Sequence, residues 1–290
     1  MRYGTGVVMV LTAGVLWSLN GLMIRQIEVA GPWAVLAWRS LAMAPVLLVF
    51  LAWRSGGSPW PVVRRSGLAG VVGGIGLVVA MGGAILAFQT TTIANAAVLL
   101  AATPFLAAVL GRVVLGETVA PRTWGGIALA LVGIFIMVRD GLAAGALLGN
   151  IAALVSALGL ASFSVALRWR RTEDSLPASI LGAAFAVVAG VLAAAQFGQP
   201  LAIPAAEVMW CVLMGVVTLS GGMILYTFGS RVVPSAELTL LSNTEVLLAP
   251  FWVWLVLDET ASTATLVGGA VVLVAILFNA LSGMRRVATA

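Results

Sequence analysis

Polar positions are sparse and bunched along this chain, and between them lie apolar runs of near twenty residues. A helix rises ~1.5 Å per residue, so a run of that length spans the ~30 Å hydrocarbon core of a bilayer. Ten such runs can be drawn, at 6–25, 33–53, 67–88, 94–115, 122–139, 145–167, 177–197, 208–229, 236–257 and 263–282. The separators carry turn or charge signals, such as Gly31-Pro32, Arg54 to Arg65, Pro121-Arg122, Gly198 to Pro204 and Asp258-Glu259. Gln89 to Ile93 and Ser230 to Ser235 are weaker breaks, but the length on either side demands two crossings. The first run begins almost at Met1, yet it is longer than a signal-peptide core and nine more follow, so it reads as a retained span. The pattern predicts an all-α integral membrane protein with ten transmembrane helices.

Composition narrows the chemistry. Hydrophobic residues make up 62% of the 290 positions and charged residues only 9%, far below a soluble domain at roughly 25%. All fifteen basic residues are Arg, His is absent, and Cys211 is the single cysteine. An intrachain disulfide, a cysteine zinc cluster, an imidazole base and a Ser-His-Asp triad are thereby excluded. Neither a cofactor nor a bound metal is expected. The net charge of +5 rests on few charges and does not suggest nucleic-acid binding. The Arg residues instead encode orientation. With the N-terminus in the cytoplasm, twelve (Arg2, Arg54, Arg64, Arg65, Arg112, Arg122, Arg168, Arg170, Arg171, Arg231, Arg285, Arg286) fall inside, and Arg25 and Arg139 fall outside. That asymmetry predicts both termini in the cytoplasm, in a bacterial inner (cytoplasmic) membrane.

The chain also aligns with itself. At a shift of 142, Leu115-Gly116-Glu117-Thr118 falls on Leu257-Asp258-Glu259-Thr260 without a gap, Gly126 on Gly268, Leu131 on Leu273 and Gly73 on Gly215. Near the start, Trp17-Ser18 matches Ala161-Ser162 at a shift of 144. Two repeats follow, 1–141 and 142–290, with five spans each. An odd span count inserts the second repeat upside down, and the Arg residues agree. Arg112 and Arg122 flank the first Glu-Thr turn, whereas the second has no Arg nearby. Two inverted five-helix repeats are the architecture of secondary transporters, whose substrate site lies near the midplane between the halves.

Trp17-Ser18, Thr103-Pro104, Leu115-Gly116-Glu117-Thr118 and Trp124-Gly125-Gly126 through Gly133 together resemble the EamA repeat of the drug/metabolite transporter superfamily. Within it the chain looks closest to YddG-like exporters of aromatic and other amino acids. The resemblance covers both halves, and implies ten helices in two inverted repeats and movement of small metabolites, usually outward. One departure concerns coupling. Small multidrug members of the superfamily exchange protons through a carboxylate in the first helix. This first helix has Trp17, Ser18 and Asn20 but no acid, so either Glu245 substitutes or the solute gradient alone drives transport.

Candidate site residues are polar or aromatic side chains at membrane depth. Trp17 lies about eleven residues into its span and shares a face with Asn20. An aromatic beside a buried amide suits an amphiphilic solute, and ordinary helix packing explains it equally well. The other Trp residues sit near span ends as an interfacial belt. Glu245, about 15 Å into the ninth span, must face water, find a partner or be protonated. Contact with a substrate ammonium or a titrating gate is its functional reading, and a hydrogen-bonded fixture between helices its structural one. Asn243 adds polarity beside it. Phe163 and Ser164 of the sixth span and Tyr226 of the eighth complete the expected substrate-binding set. Arg39, Gln89, Asn95, Gly83 and Gly222 form a candidate gating or pathway set, with Arg39 free either to snorkel outward or to attract a carboxylate. Glu237 is expected to pair with Arg231 or favour a helix start, and Glu117 and Glu259 to orient the helices that follow them. Pro45, Pro104 and Pro250 are expected bends.

The function these residues predict is a secondary transporter, not an enzyme, exporting small amphiphilic metabolites by alternating access. Amino acids with aromatic or apolar side chains are the expected cargo. A transporter of cationic drugs or of nucleotide sugars is the alternative, and a channel a further class. The expected partners are a small-molecule substrate and the lipid bilayer, with no nucleic acid and a monomeric functional unit.

Overall fold

A computed structural model describes the chain except for residues 1, 144–145, 171–173, 235–236, 239–240, 242–243 and 288–290. The described residues are helical throughout, with no strand among them. In chain order the helices are α1 (Tyr3–Ile24), α2 (Pro32–Ser55), α3 (Trp60–Arg65), α4 (Gly67–Thr90), α5 (Ile93–Leu100), α6 (Thr103–Leu115), α7 (Pro121–Ala143), α8 (Leu147–Trp169), α9 (Leu176–Gln196), α10 (Ala205–Leu213), a π-helical segment (Met214–Gly221), α11 (Gly222–Gly229), α12 (Thr244–Leu257) and α13 (Thr263–Val287). Seven segments are long and apolar enough to cross a membrane, and shorter apolar helices at Thr123–Arg139, Thr244–Leu257 and Thr263–Asn279 occupy the fifth, ninth and tenth predicted spans. Large apolar side chains such as Val49, Leu131, Phe135, Leu192 and Val274 are exposed, as on a lipid-facing surface.

Local chemistry explains the ends. Pro32 and Pro177 stand in the first turns of α2 and α9, where the missing N–H has no intrahelical role. Gly56 ends α2 in the left-handed conformation at φ 67°. The weak break near residue 90 is real: Thr92 caps α5 through its hydroxyl, which accepts from the Asn95 N–H at 3.3 Å. Two features were not anticipated, and the fourth span breaks where Pro104 was expected to bend it. Residues 60–65 form the short helix α3 where the sequence pattern suggests only a polar break, because Pro61 supplies a preset first turn. The fourth span splits at Ala101–Ala102, just before Pro104. The eighth span is π-wound in its middle third, around Gly215, Thr218 and Ser220.

Packing follows a two-fold exchange of the halves. α4 packs on α8 and α9, and correspondingly the eighth span (α10 to α11) packs on α1 and α2. α6 and α5 pack on α8, as α12 packs on α1; α2 meets α9, α7 meets α13, and α5 meets α12. The α7–α13 crossing shows the relation atom by atom. A Cβ on Gly126 would meet the Ala275 carbonyl, and a Cβ on Gly268 would meet the Gly133 carbonyl. Residues 126 and 268, like 133 and 275, are 142 apart, so the repeat read in the sequence is also the symmetry of the packing.

Polar contacts sort the connections onto two faces. One gathers Tyr3 with Glu237, Arg54 with Asp174, and Arg168 with Glu117. The other gathers Arg25 with Glu259, the 28–30 backbone with Glu207, and Trp38 with the Leu201 carbonyl. The connections that these contacts reach fall on the two faces as alternation along the chain requires.

Candidate functional site

α1 is the hub of the site, because the eighth span and α12 both lie against it. Trp17 projects toward the eighth span and pairs with Tyr226 across the boundary between the halves, with ring centroids 5.6 Å apart and planes tilted by 41°. Gly222 makes this possible, since a Cβ there would overlap the Trp17 indole. The sequence placed Gly222 in a gating or pathway set, and in the structure it leaves room for a ring.

Asn20 is buried one turn beyond Trp17, with both ends of its amide engaged. Nδ2 donates to the Trp17 carbonyl at 2.9 Å, and Oδ1 lies 2.9 Å from the Thr218 hydroxyl. That hydroxyl is also 2.7 Å from the Met214 carbonyl, so its single proton has two acceptors. The Ser220 hydroxyl donates to the Gly215 carbonyl five residues back at 2.7 Å, the spacing of the π winding. π segments inside α-helices recur at functional sites. Here the segment turns two hydroxyls into the interface with α1 and α2.

Glu245 stands in the first turn of α12, half-buried, and among the described residues its carboxylate has no hydrogen-bond or ion-pair partner. Seven residues on, so on the same face, the Trp252 indole N–H donates to the Ser18 hydroxyl at 2.9 Å. Trp252 is thus turned inward to α1 rather than standing in the interfacial belt that its place near the span end suggested. The i, i+7 spacing of Glu245 and Trp252 is the signal that would have drawn the two together. Trp53, Trp60, Trp169 and Trp254 are exposed, as a belt requires.

Arg39 is 3% exposed and does not snorkel. Its Nη2 donates to the Met81 carbonyl of α4 at 3.3 Å and Nε has no partner; the neighbouring Ser40 hydroxyl has none either. Its backbone carbonyl abuts bare Gly215 of the π segment. An unpaired guanidinium at this depth is electrostatically open to an anion.

The remaining candidates lie elsewhere. Phe163 is buried over Gly73 and Gly76 of α4, and the Ser164 hydroxyl donates to the Leu160 carbonyl of its own helix at 3.0 Å. No contact brings either to Trp17 or Tyr226. Gly83 lets α8 approach to backbone contact at Ala152 and Ser156. The Gln89 amide donates to the Ala30 carbonyl at 3.1 Å, and Asn95 donates to the Thr91 hydroxyl and to Asn150. Asn243 lies outside the described residues.

Two further carboxylates make contacts that the sequence did not specify. Glu237 accepts from the Tyr3 hydroxyl, whereas Arg231 stacks over Phe228 at 5.5 Å. Buried Glu207, not singled out from sequence, accepts from the backbone N–H groups of Glu28, Val29 and Ala30 at 3.1, 2.9 and 2.8 Å and holds the first interhelical loop. Those N–H groups have no pattern in the sequence that would reveal them.

Fold and site together define a multi-pass helical membrane protein made of two repeats with polar groups at their interface. The chain belongs to the EamA-like transporter family, whose sequence profile matches residues 4–139 and 147–281. It is therefore a membrane transporter of the drug/metabolite transporter superfamily. No curated protein matches the chain. Among solved structures, a crystal structure matches with a TM-score of 0.64 at 20% identity, over 96% of this chain and 97% of that one, a likeness of fold.

Proposed function

We propose that this transporter exports small amphiphilic metabolites by alternating access, with amino acids bearing aromatic or apolar side chains as its cargo, as in the YddG-like branch. The repeats divide at 141/142, in the last turn of α7. The carrying observation is the pairing of Trp17 and Tyr226 from opposite halves, on α1, against which α12 also packs. A ring in the cargo would stack on the aromatic pair. Its ammonium would meet Glu245 and its carboxylate Arg39. Asn20 and Asn243 complete the proposed polar lining, and Gln89, Asn95, Gly83 and Gly222 the proposed pathway, while Phe163 and Ser164, on α8, stand apart from the ring pair. The protein acts as a monomer in a bacterial inner membrane with both termini cytoplasmic.

Purified protein in liposomes tests the cargo. Loaded phenylalanine or tryptophan should leave the vesicles, and Glu245→Gln should slow that flux about tenfold or more. Absence of flux for every amino acid in the wild type overturns the cargo assignment. Repeating the assay with and without a pH gradient distinguishes proton exchange from facilitation. One observation favours a second reading. The Trp17–Tyr226 ring pair also suits an organic cation, and competition by quaternary ammonium compounds but not by amino acids would establish it.

A further inference from the structure

Three ion pairs among the described residues join one half of the molecule to the other outside the site, and two of them, unlike Arg54–Asp174, are related by the repeat. Arg25, at the end of α1, donates from Nε to Glu259 Oε2 at 2.8 Å. Arg168, near the end of α8, donates from Nη1 to Glu117 Oε2 at 2.9 Å. Glu117 and Glu259 are 142 residues apart and Arg25 and Arg168 are 143 apart, which is the repeat spacing. The pairs are therefore one device built twice and set on opposite faces by the inversion.

The local construction matches as well. Each glutamate follows a left-handed residue, Gly116 at φ 68° and Asp258 at φ 53°. Each donates its backbone N–H six residues back, Glu117 to the Gly111 carbonyl at 3.2 Å and Glu259 to the Val253 carbonyl at 3.3 Å. The second bonds of the arginines differ, Arg25 donating to the Thr91 carbonyl of its own half at 2.8 Å and Arg168 to the Ala107 carbonyl of the other half at 2.9 Å. Gly111 leaves the inner pair its space, since a Cβ there would overlap the Glu117 carboxylate.

We propose that Arg25–Glu259 and Arg168–Glu117 are reciprocal latches, each holding its own face shut, so that transport requires them to open in turn. This rests on the alternating-access reading, but not on the cargo. The latches are unequal. The Arg25–Glu259 side chains are 26% and 19% exposed, against 44% and 36% for Arg168–Glu117. Glu259 also accepts the Ile93 N–H at 2.7 Å, an additional tie to the start of α5. Water screens the more exposed pair more strongly, so Arg25–Glu259 is the stronger latch, while Arg54–Asp174 still ties the other face when Arg168–Glu117 is broken.

Spin-label distances measure this directly, in a Cys211→Ala background. Labels at exposed Glu28 and Thr260 report one face, and labels at exposed Thr118 and Arg170 the other. Glu259→Gln should enrich the long-distance population of the 28–260 pair about fivefold and shorten the 118–170 pair. Glu117→Gln should do the reverse by a smaller factor. The charge-reversed pair Arg25→Glu with Glu259→Arg should restore the wild-type distribution, and it keeps the test alive if a single variant misfolds. Unchanged distributions, or both faces opening together, would overturn the latches. Opposite shifts in a protein that moves no amino acid would leave the latches standing and sink the cargo assignment alone.

Discussion

At the residue scale, Glu245 and Gly222 show how differently one position can be read before and after folding. Glu245 stands out from sequence because a charge at membrane depth costs on the order of 2.5–3.5 kcal/mol unless it faces water or a partner. Gly222 is singled out from sequence only as one member of a pathway set, since only the fold brings the Trp17 ring against it. Its neighbour Gly221 provides the control. A Cβ on Gly221 would meet nothing closer than Leu16 at 3.5 Å, whereas one on Gly222 would overlap the indole. Gly222→Ala should therefore destabilise the protein by about 1–3 kcal/mol through overpacking, visible as a lower melting temperature in detergent, and should slow flux. Gly221→Ala should leave both within about 0.5 kcal/mol of wild type.

At the scale of elements, the α4–α8 crossing shows why glycine richness matters at particular positions. A Cβ on Gly159 would lie 2.6 Å from the Ala80 backbone nitrogen and 2.7 Å from the Gly76 carbonyl, and backbone cannot yield. The Ser156 hydroxyl spans the same crossing to the Ala80 carbonyl at 2.6 Å. Small residues let helices pack this closely in lipid. Gly159→Val should cost upwards of about 3 kcal/mol, read from denaturant titration in detergent, while Gly125→Ala, with nothing within 4 Å, should be tolerated. The turns before the latch glutamates give a second contrast. Gly116 at φ 68° is free of strain, so Gly116→Ala should destabilise by about 1 kcal/mol. Asp258→Gly should not destabilise, because Asp258 already holds a left-handed conformation at φ 53°. The same titration ranks both.

At the scale of the molecule, the inverted repeat links topology to mechanism. A two-fold lying between inverted halves gives each face the same set of helix ends, so a contact that closes one face can have a twin on the other. The Arg distribution breaks this equivalence and predicts which face is cytoplasmic. In intact cells carrying Cys211→Ala, a membrane-impermeant thiol reagent should label Thr260→Cys and leave Thr118→Cys unmodified until the membrane is permeabilised. Labelling in the opposite order would invert the assigned topology.

The amino-acid sequence by itself determined the span count, the repeat register and the exclusion of His and Cys chemistry. These follow from composition and from local hydrophobic periodicity, which hydrocarbon thickness enforces residue by residue. It also pointed to Trp17, Tyr226 and Glu245, because polarity and aromaticity at membrane depth need no partner to be noticed. Tertiary structure alone decided that Phe163 packs between helices, that Trp252 turns inward to Ser18, that the eighth span is π-wound, and that Glu117 and Glu259 close ion pairs across the halves. Each of these depends on a contact more than fifty residues distant or on backbone winding, and neither leaves a local hydrophobic pattern to be read.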